Sequence, residues 1–536
     1  MPFWKSARRS GRAASPVVPY FAKRETMQQA LSTSRQVAII GSGVMGRGIA
    51  MVAAAAGHRV CLYDANGHAS AQAVATIQQQ WQRQADKGKL SAEEVAHLCT
   101  RLSRAEQLQQ LAGAGLVIEA IVEELAAKQA LFCRLERIVA ADCLLASNTS
   151  SLSITAIAAA MTAPQRLVGM HFFNPAPAMR LVEIVRGLAT DAALLEQVRA
   201  TARNWGKETV LVRSSPGFIV NRIARPFYLE SLRCLQQGLA DCATLDRLLQ
   251  HSGGFRMGPF ALMDLIGLDV NLAVHRSIWQ AMCYDPRYTP LWIQQEMVAA
   301  GWLGRKSGRG YYAYPLAEPA VSAPLPMYCP DWQQVEFNLA QPVAVVLAQR
   351  LQQAGVIVTG QYQPQEDWLF RSGSAHVHLS DGRLAAQREQ AGQPCLLLDQ
   401  AFDYQQVALL AVQSSPGLSS AQLQALEAVL HAAGIRLCHL PDAAGLPVLC
   451  TVAMLVNEAA DVLQQGLASA ADIDSAMCLG LNYPQGPLAW GRRLGYGWLS
   501  QVLRHLADYH GDGHYRVAGW LQQQAFSSLS CPAEVL

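Results

Sequence analysis

Three groups of residues have types and spacings that could do chemistry. Gly41, Gly43 and Gly46 spell GxGxxG within "GSGVMG". The first glycine permits a tight turn, the second lets a pyrophosphate approach the backbone, and the third lets a helix pack on a strand. The anion would then lie at a helix N-terminus, among free N–H groups. Asp64 follows about 20 residues later, where an acid hydrogen-bonds a ribose 2′-hydroxyl and repels a 2′-phosphate. That choice favours NAD over NADP. The second group is "ASNTSSLSI" (146–154), a run of small hydroxyl and amide side chains after an apolar stretch. Such a loop can hold a substrate oxygen, and it serves equally well as a helix N-cap. The third group is His171 in "GMHFFNP" and Glu183 in "MRLVEIV". A histidine beside aromatics is compatible with a plain core position, but an acid inside an apolar strand needs a partner. A carboxylate on one imidazole nitrogen sets the tautomer and leaves the other nitrogen to act as a base. Oxidation of an alcohol by NAD requires such a base while hydride leaves for the nicotinamide. Asn221, in "PGFIVNR", adds a polar group for the reacting oxygens.

The elements that must position these groups are legible from periodicity. "QVAII", the glycine turn, the small-residue run "RGIAMVAAAAGH" and "RVCLYD" read as strand, turn, helix and strand. Further apolar runs at "GLVIEA", "CLLAS", "RLVGMHFF" and "LVEIV" alternate with helical stretches, which predicts a parallel sheet covered on both faces. A hairpin between the last two runs would bring Glu183 to His171. Residues 219–300 read as helices. Five prolines in "YPLAEPAVSAPLPMYCP" mark a linker. Beyond it strands and helices alternate again, with "PVAVVLAQRLQQAGVIV" taken as the strand next to the linker, and from about 443 the chain is helical.

A repeat organises the whole. "LQQGLADCATLDRLLQHSGGFRMGPFALMDLIG" from Leu235 and "LQQGLASAADIDSAMCLGLNYPQGPLAWGRRLG" from Leu463 align without a gap at an offset of 228, with 12 identities in 33 positions. Asp246 falls on Asp474, Gly258-Pro259 on Gly486-Pro487, and Glu230 on Glu458. The expected layout is a basic, disordered extension over 1–34, a nucleotide-binding domain over 35–214 and a helical domain over 215–315. A linker over 316–334, a degenerate nucleotide-fold domain over 335–442 and a second helical domain over 443–536 complete it. The extension has a second reading, in which Met27 is the start.

Composition narrows the class. The chain has 536 residues, 51% hydrophobic and 15% charged, so a disordered polyelectrolyte is excluded. Its net charge of +3 is local. Residues 1–26 hold six cations against one acid, leaving the remainder near −2, with no basic excess for nucleic acid. No run of about 18 apolar residues suggests a membrane span. Thirteen scattered cysteines without a CxxC pair point to reduced thiols in a cytoplasmic setting, with no zinc site.

Taken together, "GSGVMGRGIA", "VIEAIVEE", "SNTSSLSI", "HFFNPAPAMRLVEIV", "PGFIVNR" and "GRKSGRGYY" resemble the L-3-hydroxyacyl-CoA dehydrogenase family in order and spacing. The whole layout resembles the family's long bacterial branch, which acts on 3-hydroxyadipyl-CoA or 3-hydroxybutyryl-CoA in phenylacetate degradation. The resemblance implies a Rossmann-type α/β NAD-binding domain and a helical domain like the C-terminal part of 6-phosphogluconate dehydrogenase. A degenerate Rossmann-like domain and a second helical domain would follow. It implies oxidation of an L-3-hydroxyacyl-CoA, with 3-hydroxyadipyl-CoA the leading substrate and 3-hydroxybutyryl-CoA or fatty acyl-CoAs of β-oxidation the alternatives. A non-catalytic NAD-binding scaffold is the remote rival. By resemblance His171 is the base and Glu183 its partner, and Ser150 and Asn221 orient substrate oxygens. NAD would touch Gly41, Ser42, Gly43, Val44, Met45, Gly46, Asp64, Glu123, Lys128, Ser150, Asn174 and Lys306. Lys87, with Lys89 as competitor, would meet the CoA moiety, as would Ser150. Arg180 and Arg225 are the cations available for a terminal carboxylate. Short relatives form homodimers through their helical domains.

The second half is expected to lack a site. At the offset, Asn221 falls on Leu449 and Arg222 on Cys450. No HFFNP segment or glycine triplet precedes the second copy. His376 and His378, without an acid in pattern, are expected at the surface.

Overall fold

The computed structural model describes residues 29–315, 332–389 and 392–527. Most of the expected extension and linker therefore lies outside the described residues.

The first sheet is built from continuous apolar runs. Its strands are β1 (Gln36–Ile40), β2 (Val60–Tyr63), β3 (Leu102–Ala105), β4 (Ala114–Glu119), β5 (Leu144–Ser147), β6 (Leu167–Phe172), β7 (Leu181–Arg186) and β8 (Glu208–Arg213). Their spatial order is β3-β2-β1-β4-β5-β6-β7-β8. All neighbours are parallel except β6 and β7, which form an antiparallel hairpin. Burial on both faces explains the unbroken apolar runs. Val37 and Ile39 point into one core, while Ala38 and Ile40 point into another. That second core continues without a break through both helical domains.

The two helical domains match helix by helix at the offset of 228. Arg225–Gln236, Cys242–His251, Pro259–Ile266, Leu268–Ala281 and Trp292–Ala299 correspond to Pro447–Gln464, Ala470–Leu481, Pro487–Leu494, Tyr496–His510 and Gly519–Ser527. The shared Asp and Gly-Pro are structural. Asp246 accepts from the amides of Phe260 and Ala261, both at 2.9 Å, and Asp474 accepts from Leu488 and Ala489 at 2.8 and 3.0 Å. Each aspartate caps a helix that begins Gly-Pro. A Cβ on Gly258 or Gly486 would stand 2.2 or 2.3 Å from that aspartate, so only glycine fits.

The helices Arg225–Gln236 and Pro447–Gln464 pack on each other. The exchange across them is reciprocal. Glu230 pairs with His514 at 2.6 Å and accepts from the Tyr515 hydroxyl at 2.8 Å. Glu458 accepts from Arg287 at 2.6 Å and from the Tyr288 hydroxyl. Pro447–Gln464 is apolar and long enough to cross a membrane, but 89% of it is buried inside the protein, as for a core helix.

The second sheet comprises β9 (Val335–Asn338), β10 (Thr359–Gln361), β11 (Trp368–Ser372), β12 (Ala375–Leu379), β13 (Cys395–Leu398), β14 (Leu409–Ser414) and β15 (Arg436–His439). Its order is β10-β9-β11-β12-β13-β14-β15. Two expectations fail here. Most of "PVAVVLAQRLQQAGVIV" is a helix, Pro342–Gln353, and the strand is the preceding β9. Its inward residues Ala344, Leu347, Ala348 and Leu351 recur at helical spacing, which a β-branched composition concealed. His376 is buried, not on the surface, and His378 pairs with Asp367 at 3.0 Å and Arg388 at 2.7 Å. Asp367 precedes β11, whose pairing with β12 sets Trp368 opposite His378, so the acid arrives by strand register and not by local pattern.

Candidate active site

The glycine loop joins β1 to the helix Val44–Ala55. Gly41 has φ +103°, and a Cβ there would lie 2.4 Å from the Ala120 carbonyl oxygen. A Cβ on Gly46 would lie 1.9 Å from the Gly41 oxygen, so helix and strand meet only without a side chain. At Gly43 a Cβ would meet nothing within 4 Å. That open face lies at the N-cap of a 12-residue helix, which has no side-chain cap. The Ser42 hydroxyl is buried and has no partner. A cradle with uncapped amides and an orphaned hydroxyl fits a pyrophosphate. Asp64 ends the next strand, and its carboxylate accepts from the Ser42 and Asn66 amides at 2.8 and 3.0 Å. It thus borders the loop where a ribose would lie.

The serine loop is tied down by a neighbouring carboxylate. Glu123 Oε1 accepts from the Thr149 hydroxyl at 2.6 Å, from the Ser150 and Ser151 amides at 2.9 and 3.0 Å, and from the Ser150 hydroxyl at 3.3 Å. Burial alone would push this carboxyl up. The Lys128 ammonium, 3.2 Å away, and the loop donors outweigh burial and hold it below its ordinary value. Lys128 is itself buried and pairs with Glu119 at 2.5 Å, which also accepts from the Ser147 hydroxyl at 2.6 Å. Asn148 Oδ1 accepts from the Phe172 amide at 2.8 Å, fastening the loop to β6.

His171 and Glu183 stand directly opposite each other on the β6–β7 hairpin. His171 Nδ1 lies 2.7 Å from Glu183 Oε2. The other carboxylate oxygen, Oε1, accepts from the backbone amides of Ile219 and Val220, both at 3.0 Å. A carboxylate so engaged is an acceptor, so Nδ1 carries the hydrogen and Nε2 is left free. His171 is 5% exposed and Glu183 is 0% exposed, with the rings of Phe173 and Phe218 beside the imidazole at 4.6 and 5.9 Å. Asn221 Nδ2 donates to the Ser150 carbonyl at 3.5 Å, bringing the serine loop, the hairpin and the first helical domain together.

Other expected residues lie apart from this cluster. Asn174 is exposed just beyond β6. Lys306 pairs with Asp269 at 2.5 Å within the helical domain. Lys87 and Lys89 are exposed after the helix Gly67–Asp86. Of the two arginines considered for a terminal carboxylate, one is ion-paired and the other keeps a buried terminal nitrogen, Nη1, without a hydrogen-bond partner among the described residues. Arg180 is bound to Glu208 at 2.8 Å on the surface, and Arg225 is buried with its Nε on the Asn221 carbonyl at 2.7 Å. Sequence reasoning missed Glu119, whose signal was an acid ending an apolar strand. Asn148 was marked as the amide of the serine loop, but its role in fastening that loop to β6 was not. Among the described residues no group of three or more His, Cys, Asp or Glu could hold a metal ion.

Residues 36–215 match the NAD-binding domain of 3-hydroxyacyl-CoA dehydrogenase, and 217–314 and 448–527 both match its C-terminal domain. The chain belongs to the 3-hydroxyacyl-CoA dehydrogenase family. Residues 377–443 match the reduced Rossmann-fold domain of 3-hydroxybutyryl-CoA dehydrogenase. NAD is the cofactor of the domain that holds the glycine loop, and the two C-terminal-domain matches are the two helical copies. Among relatives of this dehydrogenase chain, the 3-hydroxyadipyl-CoA dehydrogenase of Escherichia coli K12 is 40% identical over 91% of this chain and 97% of its own length. A crystal structure of 3-hydroxybutyryl-CoA dehydrogenase from the same species superposes with a TM-score of 0.84 at 37% identity, covering 93% of this chain and 99% of that one. The (S)-3-hydroxybutyryl-CoA dehydrogenase PaaH1 of Ralstonia eutropha is 40% identical and covers 52% of this chain and 99% of its own, with a TM-score of 0.51. The last matches about half of this chain over almost all of its own length.

Proposed function

We propose that this dehydrogenase oxidises the 3-hydroxyl of 3-hydroxyadipyl-CoA with NAD, using His171 as the base. The observation that carries the reading is the His171–Glu183 pair, with Glu183 held on its far side by two backbone amides. NAD, when bound, supplies the hydride acceptor. Everything else falls to the chain's own side chains. Nε2 of His171 takes the hydroxyl proton, and Glu183 stabilises the resulting imidazolium through Nδ1. Ser150 and Asn221 orient the substrate oxygens. In reverse, protonated His171 returns the proton to a 3-oxo group. The Gly41–Gly46 loop and Asp64 hold the dinucleotide. Glu123, Lys128, Asn174 and Lys306 are the further candidates for contacts to it, and Lys128 also fixes Glu123. Lys87 or Lys89 is the candidate for the CoA phosphates.

The adipyl preference rests on the full-length E. coli relative, whose name specifies that substrate. The competing acyl group is hydroxybutyryl, named for the shorter relatives. A steady-state comparison of 3-hydroxyadipyl-CoA with 3-hydroxybutyryl-CoA decides it: kcat/KM should favour the dicarboxylate, and the reverse order would reassign the substrate. Absence of NADH with both would turn the reading to a non-catalytic NAD-binding protein. The eleven described cysteines are all free thiols, which suits a reducing cytoplasmic setting. The second helical copy covers one face of the first within the chain, so a homodimer has to use another surface.

A further inference from the structure

The finest geometry of the site is carried by a single helical turn, Val220–Ile223. With Ile219 just before it, this segment supplies both amides to Glu183, and it presents Asn221. One turn cannot hold its own shape, because helix nucleation is unfavourable. Its support comes from residues about 240 positions later in the chain. Arg222 is fully buried. Its Nε donates to the Tyr288 hydroxyl at 3.0 Å, one terminal nitrogen to Gln465 at 3.0 Å, and the other to Asp461 Oδ2 at 2.8 Å. Gln465 and Arg287 donate to the same Asp461 oxygen at 3.0 and 2.9 Å, which fixes the acceptor itself. On the other side of the turn, a Cβ on Gly480 would lie 3.1 Å from Val220 and 2.8 Å from Leu181. Where the chain leaves β8 toward the turn, the Arg213 amide donates to the Leu467 carbonyl at 2.9 Å.

Asp461, Leu467 and Gly480 all belong to the second helical domain. At the offset of 228, Asp461 corresponds to Arg233 and Gly480 to Ser252. The acid and the glycine are therefore features of the second copy alone. In the opposite direction Arg222 corresponds to Cys450, so the second copy has no arginine to be clamped in return. The exchange between Glu230 and Glu458 is reciprocal, while the Arg222–Asp461 clamp runs one way, toward the half that carries His171.

We infer that Asp461 is a positioning residue for the oxidation at His171, acting through Arg222 to fix the turn that presents Asn221 and the Glu183 amides. The inference rests on the reaction proposed above. It also assigns a purpose to the second half, which supports the active site without having one. Once Asp461 is neutralised, Arg222 keeps only Glu458, at 3.5 Å, as a charged partner. The guanidinium then re-aims and the turn shifts. A small misplacement of this kind degrades alignment in the transition state. It leaves the glycine loop alone, which touches none of these residues. The loss therefore belongs in kcat and not in NAD affinity.

The test uses the full chain as Asp461→Asn, Arg222→Lys and the double variant. Arg222→Lys keeps the charge without the three-way fork, and it carries the test alone if Asp461→Asn does not fold. The expected result is a kcat about tenfold lower for each single variant, with the NAD dissociation constant within twofold of wild type. The double variant should be no worse than the poorer single, because both remove one coupled interaction. Hydrogen exchange at the Ile219 and Val220 amides should accelerate in all three. A wild-type kcat with unchanged exchange overturns the inference, as does a loss shared equally by kcat and NAD affinity. Failure of the functional reading is a separate result. In that case wild type yields no NADH from either hydroxyacyl-CoA, while the exchange experiment still reports whether Asp461 holds the turn.

Discussion

In the first half an imidazole and a carboxylate face each other across two antiparallel strands. In the second half the counterpart strands, β13 and β14, are also antiparallel, and a buried carboxylate again stands on the pair, here just past the end of β13 at the position the offset assigns to His171. That carboxylate is Asp399, and the residue across from it is Ala411, to whose carbonyl the Asp399 amide donates at 3.0 Å. Both acids do the same structural job. Glu183 accepts from the amides of Ile219 and Val220, and Asp399 accepts from those of Val448 and Leu449, both at 2.9 Å. Each closes the N-terminus of the leading helix of its helical domain. The comparison separates two roles that Glu183 combines. Capping a helix needs only an acid, and that role is present twice; supporting a base needs a histidine opposite, and that occurs once. The helices that follow differ in the same sense. In the first half the helix is broken before Arg225-Pro226, because proline cannot donate to the preceding turn. Met454 replaces that proline in the second half, and the helix runs unbroken from Pro447 to Gln464. The break isolates the turn carrying Asn221, and the unbroken helix carries the acid that clamps it.

The sharpest way to break this comparison is to neutralise each half's key group. His171→Gln should lower kcat by about 10²–10⁴ while NAD still binds, as for loss of a general base. Asp399→Asn should leave kcat within about threefold of wild type. Equal losses in steady-state assays would mean that the second half takes part in chemistry. Next in size is the glycine loop, which the second half lacks. Gly46→Ala places a Cβ 1.9 Å from a backbone oxygen, so NAD affinity measured by fluorescence titration should fall at least ~10-fold. Retained affinity would show that the loop is not the pyrophosphate cradle.

The shared scaffold should respond alike in both halves. Gly258→Ala and Gly486→Ala each drive a Cβ into the capping aspartate and should cost about 1–3 kcal/mol in denaturant unfolding. A large difference between them would mean that the two copies do not contribute equally to one cooperative core. The smallest effect is a pH dependence. Burial pushes the Asp399 carboxyl up to about 7, against the pull of the Val448, Leu449 and Gln400 amides. Below about pH 4 it is protonated in the folded and unfolded chain alike, and its contribution to stability is whole. As pH rises toward 7 only the unfolded chain releases the proton, so stability declines, by at most ~1.4 kcal/mol per pH unit. Asp399→Asn should flatten the unfolding free energy against pH over this window. An unchanged slope would place the titration elsewhere.

The glycine triplet, the acid ending the second strand, the His171–Glu183 spacing and the 228-residue repeat were all legible in the amino-acid sequence. Each is a local pattern, or a register preserved along the chain, and such patterns survive without knowledge of contacts. Strand alternation even implied the hairpin, because a buried Glu183 had to find a partner. Other features depended on residues distant in sequence. His376 and His378 looked like surface residues because Asp367 reaches them only through strand register. The Pro342–Gln353 helix was hidden by a valine-rich composition that its own spacing contradicts. The burial of Arg225, with its Nε on the Asn221 carbonyl, is set by packing and not by any local pattern. Above all, the link from Asp461 to Arg222 has no sequence signature at all. Periodicity and motif report what a residue does for its neighbours along the chain. Which half of the molecule steadies the other is decided by side chains more than 200 positions apart, and only the packed tertiary structure brings them within hydrogen-bonding distance.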